Sequence, residues 1–408
     1  MKADLSTSPG RLIWLDILRA VALLLVMFRH AGFLDRHSIH PWVDWLTDAL
    51  MCGGWIGVDL FFVLSGFLVS GLLMREYQRK GNVRAGRFLF RRGMKIYPAM
   101  ALFLLVTAVV YRLNEGHWQV KELIVQALFI QNYTPGTYIH LWSLAVEEHA
   151  YLIIAAAFAF CVWRSAKRGG SNPNPFTWVP WAVGLYALAA LLMRLWVSSV
   201  DRPYFSSYVH VFPTHLRLDS LFFGVLIAYM YHFKSELFAN GCHRLRVPML
   251  VCGLALLIPP FFMVLRQERL IYTFGFSANY LGGGMLLCVC LTLKRPTSKV
   301  AAFFAAIGRH SYGIYLWHMA VNAMILYPIA EMFGGEALWW LMPSYFVLSI
   351  VMGVGLTILV EIPALKWRDR VSPSDSGELK PMGTTEAEEP RADAVLSSAM
   401  VGATPATR

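Results

Sequence analysis

The sequence predicts an all-α integral membrane protein, a bundle of about ten transmembrane helices with both ends of the chain in the cytoplasm. Three observations predict it. Hydrophobic residues make up 57% of the 408 residues and charged residues only 15%, where soluble domains carry about 25%. Apolar runs of roughly 20 residues, the length a helix needs to cross a bilayer, recur along the chain. Between them the loops alternate between rich and poor in Lys and Arg, the pattern that orients a multi-spanning protein.

The apolar runs lie near 12–33, 54–74, 96–112, 146–163, 177–197, 212–233, 248–265, 274–293, 310–330 and 340–361. A weaker stretch near 122–131 reads as re-entrant or interfacial. The first run starts near Arg11 and lacks a small-residue cleavage site, so it reads as a retained helix and not a signal peptide. With the N-terminus inside, the first cytoplasmic loop holds Arg75, Arg79, Lys80, Arg84, Arg87, Arg91, Arg92 and Lys95. Later ones hold Arg164, Lys167 and Arg168, then Lys234, Arg244 and Arg246, then Lys294, Arg295, Lys299 and Arg309. Lys366, Arg368 and Arg370 follow the last run, whereas 331–339 carries Glu331 and Glu336 and no base. The alternation fits an even number of spans. The membrane domain is expected over 1–370, and the Ser-, Thr-, Ala-, Pro- and Glu-rich stretch 371–408 as a disordered cytoplasmic tail.

Lys and Arg total 36 against 25 Asp and Glu. The loops account for this excess, so no nucleic-acid partner is expected. The 14 Trp and 17 Tyr suit a chain that crosses membrane interfaces repeatedly. The six cysteines, Cys52, Cys161, Cys242, Cys252, Cys288 and Cys290, mostly sit in apolar runs. They show neither a disulfide framework nor zinc spacing, so no metal is expected.

Ionisable residues inside apolar spans are costly and are commonly functional. The first run, LDILRAVALLLVMFRH, holds Asp16, Arg19 and His30. At about 100° per residue, Arg19 and His30 fall roughly 20° apart and Asp16 within about 60° of both. One polar stripe on an apolar helix predicts a wet interior cavity. Asp16 and Arg19, at i and i+3, are placed to pair; mutual neutralisation explains them as well as chemistry does. His30, near the outer end, suits a proton acceptor or a plain interfacial residue.

The second run, GGWIGVDLFFVLSGFLVSGLL, has glycines that let helices approach closely. It holds Asp59, an acid with no local partner. Arg217 and Asp219, in HLRLDSLFFG, form an opposite-sign pair at a helix start. For these three, interhelical pairing competes with a chemical role. LWSLAVEEHAYL places Glu147 and Glu148 in the first turns of a helix, with Tyr151 one turn after Glu147. At most one of the two acids is expected to face a cavity. The run RFLFRRGMKIYP gathers cations ahead of the third span, which suits a phosphorylated ligand, a topology signal or anionic lipid. SYGIYLWH adds Tyr315 and His318 at i and i+3.

Taken together these segments resemble the acyltransferase 3 family of membrane acyltransferases. The matching pieces run in order: Arg19 and His30 with ten residues between, GVDLFFVLSGFL around Asp59, RRGMKIYP, WSLAVEE with Tyr151, RLDSLFFG and SYGIYLWH. They span nearly all of 11–370. The resemblance implies a bundle of about ten helices that transfers an acyl group, often acetyl, from an acyl-coenzyme A co-substrate to a hydroxyl. The acceptors are cell-surface glycans, lipid-linked sugars or secondary metabolites, and the site is the inner membrane of a bacterium.

By position the resemblance assigns catalysis to His30 and Arg19 and matches Glu147 to the family's acid. Arg91 and Arg92, with Arg87 and Lys95 beside them, are assigned to the donor. Asp16, Asp59, Tyr151, Arg217, Asp219, Tyr315 and His318 are expected to support the substrate or the fold. Lys95 stands where an Arg is usual, keeping the charge but losing the bidentate fork, and His149 and Ala150 replace the usual Gln-Phe. The residues leave open the acyl chain, the acceptor, the side of transfer and the oligomeric state. Direct transfer and an acyl-histidine intermediate both remain. Two other functions fit the same stripe: a proton-coupled transporter using Asp16, Arg19 and His30, and a non-catalytic acyl-coenzyme A sensor.

Overall fold

A backbone in lipid must satisfy its own hydrogen bonds, which limits spanning segments to helices and closed barrels. The computed structural model describes residues 12–31, 40–168, 174–200, 205–333 and 340–373, and among them there is helix and no strand. The chain begins with α1 (Ile13–His30), α2 (Pro41–Gly53), α3 (Ile56–Lys80), α4 (Ala85–Glu115) and the short α5 (Val120–Ala127). It continues through α6 (Trp142–Lys167), α7 (Val179–Val200), the one-turn α8 (Ser207–His210) and α9 (Leu218–Phe233). Then come α10 (Ser235–Arg244), α11 (Arg246–Leu257), α12 (Phe276–Thr292) and α13 (Lys299–Arg309). The described chain ends with α14 (Ser311–Val321), α15 (Tyr327–Met332), α16 (Leu341–Leu356) and α17 (Ile362–Val371). The predicted tail from 374 onward, Asp35 and Glu336 lie outside the described residues.

All ten predicted runs are helical over most of their length, but not all make a full span. Among the described residues seven helices are long and apolar enough to cross a membrane, or eight if α10 and α11, bent by 75° at Leu245, count as one. The other two runs fall short for visible reasons: α1 carries Asp16, Arg19 and Arg29, and α9 has 16 residues. Three spans contain a π turn: 271–275 opens the span that α12 continues, and 322–326 and 357–361 join neighbouring helices end to end. The stretch expected to be re-entrant or interfacial overlaps α5, a helix of 8 residues.

The third span corrects the sequence-based boundary. The basic run Arg87–Pro98 is not a loop before the helix but its first turns, because α4 starts at Ala85. Long Arg and Lys side chains carry their charge away from an apolar stem, so a helix can continue through them.

Burial shows which helix is central. In α3 78% of the most apolar window is buried, against 22% in α7. Helices α1, α6, α9 and α12 pack on α3. Two of its glycines permit this: a Cβ on Gly57 would overlap the carbonyl of Ala22, and one on Gly66 that of Leu221. By contrast α7 exposes Trp181, Leu185, Leu188, Leu192 and Trp196 along one helical stripe. A contiguous apolar surface of that length is what lipid would cover.

Two contacts bring basic helix ends together. Gln78, near the end of α3, donates to the carbonyl of His232 near the end of α9 at 2.7 Å. Trp14, at the start of α1, donates to the carbonyl of Lys294 just after α12 at 2.7 Å.

Candidate active site

A cavity of about 850 Å³, counting the part open to solvent, lies among α1, α3, α4, α6, α13 and α14. Its wall carries four cations, Arg19, Arg92, Lys95 and Arg309, and two acids, Glu147 and Glu148. Arg19 comes from the stripe on α1 and bonds Asp16 at 3.1 Å. Asp16 is buried at 2% exposure beneath it. The close crossing of α1 and α13 depends on Gly308, where a Cβ would overlap the carbonyl of Asp16.

The acids sit where α6 faces two helices at once. Glu147 faces α3 and accepts from Ser65 at 2.9 Å and from the Tyr151 hydroxyl at 2.5 Å. Arg92 donates to the Tyr151 hydroxyl at 2.6 Å, its guanidinium lies 4.4 Å from that ring, and its Nη2 is 3.8 Å from Glu147. Glu148 faces α4 and accepts from Tyr97 at 3.3 Å. Its other oxygen, Oε1, is buried and bonds to no described residue. Both acids therefore line the cavity, contrary to the expectation that only one would. Neighbours on a helix diverge by about 100°, and this cavity is wide enough to take in both directions.

Three imidazoles gather at a second centre. His318 Nε2 lies 3.1 Å from His30 Nδ1. The His140 ring is 4.8 Å from that of His318 and 6.3 Å from that of His30. The π turn that follows α14 presents Asn322, whose amide donates to the carbonyl of His30 at 2.9 Å. Such turns often mark functional sites. His30 is not part of the cavity wall. Tyr315 joins the two centres: it lines the cavity, and its ring is 5.5 Å from those of both His140 and His318.

With this geometry in view, the chain was compared with known proteins. The family model described as "Acyltransferase domain" matches residues 12–362. The chain belongs to this acyltransferase family. Among curated proteins, a Staphylococcus aureus (strain COL) protein named "Putative O-acetyltransferase SACOL0978" is 28% identical over 334 residues, 76% of this chain and 50% of that relative. "O-acetyltransferase OatA" of S. aureus (strain NCTC 8325 / PS 47) is 27% identical over 344 residues, 78% of this chain and 52% of OatA. The chain thus spans about half the length of the relatives it matches. No solved structure matches it at a significant level.

In this acyltransferase-family chain the predicted residues divide into four groups. Arg19, Arg92, Lys95, Glu147 and Tyr315 line the cavity, with Tyr151 directly beneath it. His30 and His318 meet away from its wall. The single wet stripe expected on α1 therefore serves two centres, because eleven residues of helix separate Arg19 from His30 by roughly 16 Å along the axis. Glu147, spoken for by Ser65, Tyr151 and Arg92, makes no contact with His30.

Arg87 and Arg91 also stand apart from the cavity wall. Arg91 pairs with Asp369 at 2.9 Å and bonds the carbonyl of Ser372, and Arg87 bonds Ser372 and Pro373.

The fourth group is structural. Arg217 pairs with Asp59 at 2.6 Å, not with Asp219, and Asp219 pairs with Arg194 at 2.8 Å. Both pairs are buried, and Ser220 and Asn279 also bond Asp59. The guanidinium of Arg217 lies 3.7 Å from the ring centre of Phe276. Interhelical pairing is thus the geometry at Asp59, and its partner stands 158 positions away in sequence.

Sequence reasoning missed His140, Arg309, Arg194 and Ser65. For His140 a signal existed: it sits two residues before Trp142 in the apolar stretch IHLWSL. Arg309 was counted as a loop charge, and nothing in its neighbours marked it otherwise.

Proposed function

We propose that this chain is a membrane-embedded O-acyltransferase that moves an acyl group, acetyl above all, from acyl-coenzyme A to a hydroxyl of a cell-surface glycan, lipid-linked sugar or secondary metabolite. The observation that carries it is the cavity wall: four cations at one polar chamber, with Tyr315 on its floor leading to His30. OatA and the related O-acetyltransferase support the choice of acetyl and of oxygen as acceptor. In the full arrangement the chain crosses the plasma membrane ten times, with both ends in the cytoplasm, α1 and α9 completing the set.

In this reading Arg92, Lys95 and Arg309 hold the phosphates of the donor. Guanidinium forks suit such oxygens. Arg19 belongs to donor positioning and not to charge stabilisation at the reacting carbonyl, because its side chain is too short for the roughly 16 Å to His30. The thioester arm passes Tyr315. His30 takes the proton of the acceptor hydroxyl as its oxygen bonds to the thioester carbonyl carbon. The carbon–sulfur bond then breaks, and the leaving thiolate recovers that proton from His30. The products are an ester and free coenzyme A. General base catalysis of this kind is worth about 10²–10⁴-fold.

The test is purified protein in proteoliposomes with acetyl-coenzyme A and candidate hydroxyl acceptors, read by thiol release and by mass spectrometry of the acceptor. His30→Ala and Arg19→Ala should each abolish ester formation while still inserting. Wild-type activity in either variant would remove that residue from the mechanism. Solute uptake into the vesicles without any donor would point instead to a transporter. Mass spectrometry of surface glycans and metabolites, with and without the protein, identifies the acceptor.

A further inference from the structure

A neutral imidazole has one N–H and one bare nitrogen. Nδ1 of His318 lies 2.5 Å from the main-chain carbonyl oxygen of Tyr315, one turn back in α14. A carbonyl has no proton to give, so the proton of His318 is on Nδ1 and its Nε2 is bare. That bare Nε2 lies 3.1 Å from Nδ1 of His30. Two bare nitrogens at this distance would repel, so His30 carries its proton on Nδ1; the carbonyl of Val26, one turn back in α1, is a second acceptor for the ring N–H of His30. Its Nε2 is then left with the lone pair.

His140 does not disturb this order. Its Nε2 lies 3.3 Å from the carbonyl of Leu316 and takes the proton there, and its Nδ1 bonds to no described residue. Among the described residues no carboxylate bonds to any of the three rings. His140 and His318 are buried and His30 is part-buried; an imidazolium in such surroundings without a counter-ion is costly, so the neutral forms hold at rest.

We propose that His318 is a positioning residue that fixes His30 in the Nδ1–H tautomer, so that Nε2 of His30 is the base. This rests on the acyl-transfer function given above. The acceptor O–H proton goes to Nε2 as its oxygen's electron pair forms the new bond to the carbonyl carbon. The carbon–sulfur pair leaves with sulfur, which takes the proton from Nε2 and restores the neutral ring. Throughout, Nδ1–H stays on His30, and His318 Nε2 accepts from it while the ring is charged. Imposing the wrong tautomer on a catalytic histidine elsewhere costs about 10⁴-fold.

Two substitutions separate this role from packing. His318→Gln places an amide oxygen near the position of Nε2 and keeps an acceptor for His30, whereas His318→Leu keeps bulk and removes the acceptor. In the proteoliposome assay His318→Leu should lower kcat by about 10²-fold or more with donor KM little changed. His318→Gln should recover most of that loss. Equal losses in both variants, or wild-type kcat in His318→Leu, would overturn the proposal.

An independent readout is ¹⁵N NMR of histidine-labelled protein, with His30 assigned from the signals lost in His30→Gln. The expected spectrum shows His30 protonated on Nδ1 in the wild type and a larger share of the Nε2–H tautomer in His318→Leu, where the Val26 carbonyl is the acceptor left. A wild-type His30 protonated on Nε2 would overturn the proposal even in an active enzyme. If the wild type transfers no acyl group to any acceptor, the acyl-transfer function fails, while the tautomer is still decided by NMR.

Discussion

The hydroxyl of Tyr315 lies 2.6 Å from Ser143 Oγ and 2.6 Å from the carbonyl oxygen of His140. These bonds lie between the cations of the cavity wall and the imidazole cluster. The Tyr315 hydroxyl donates to that carbonyl and accepts from Ser143, so it moves only by breaking both bonds; in the proposed reaction, passage of a thioester is coupled to their loss.

Tyr315→Phe should therefore loosen the floor while keeping its ring. The His140 carbonyl keeps only the longer bond from Ser143 Oγ at 3.4 Å, so the lost hydrogen bond should cost about 0.5–1.5 kcal/mol of stability. Donor hydrolysis by water should rise relative to ester formation, since His30 and the cavity then communicate without a bond to break. The check is the ratio of free coenzyme A to ester formed, beside a thermal melt in detergent. An unchanged ratio would mean that Tyr315 is no gate.

Arg92 holds Tyr151 by hydrogen bond and by ring stacking together. Arg92→Lys keeps the charge but loses the planar fork and the stack. Hydrogen bonds to charged groups are worth about 1.5–3 kcal/mol, so the donor KM should rise roughly 10- to 100-fold. Steady-state kinetics at saturating acceptor reads this. A lysine variant with the wild-type KM would place the donor phosphates elsewhere, with Lys95 and Arg309 as the next positions to test.

The bundle was legible in the sequence because lipid leaves a backbone few choices, and ten apolar runs became helices. The end of the basic loop was not, since Arg87 to Lys95 read as charge although their stems continue α4. The pairing of Asp16 with Arg19 was legible because it is local. The partners of Asp59 and Asp219 were not, because Arg217 and Arg194 reach them across helices and only packing decides which cation meets which acid. The angular position of His30 was legible from α1, but its depth and its neighbours on other elements, His140 and His318, were not.

The Asp59–Arg217 pair predicts an asymmetric stability response. Removing one member leaves a buried charge alone, which typically costs about 3–5 kcal/mol. Asp59→Leu and Arg217→Met should each lower the melting temperature in detergent, and the two together by less than the sum. A double variant as unstable as the summed singles would show that the two residues act independently despite their 2.6 Å separation.

Arg91 is engaged by Asp369 at the end of α17, and Asp369 is half exposed, at 52% for its side chain. An exposed pair of this kind is worth about 0–1 kcal/mol, so the contact is easily exchanged. If Arg91 also receives donor phosphate, Asp369 competes for it, and Asp369→Ala should lower the donor KM by up to about 5-fold. Asp369→Asn keeps a hydrogen-bond acceptor without the charge and should fall between. Arg91→Ala should raise KM and cancel the effect of Asp369→Ala when the two are combined. A lower KM that persists in the double variant would assign the effect to α17 itself and not to release of Arg91.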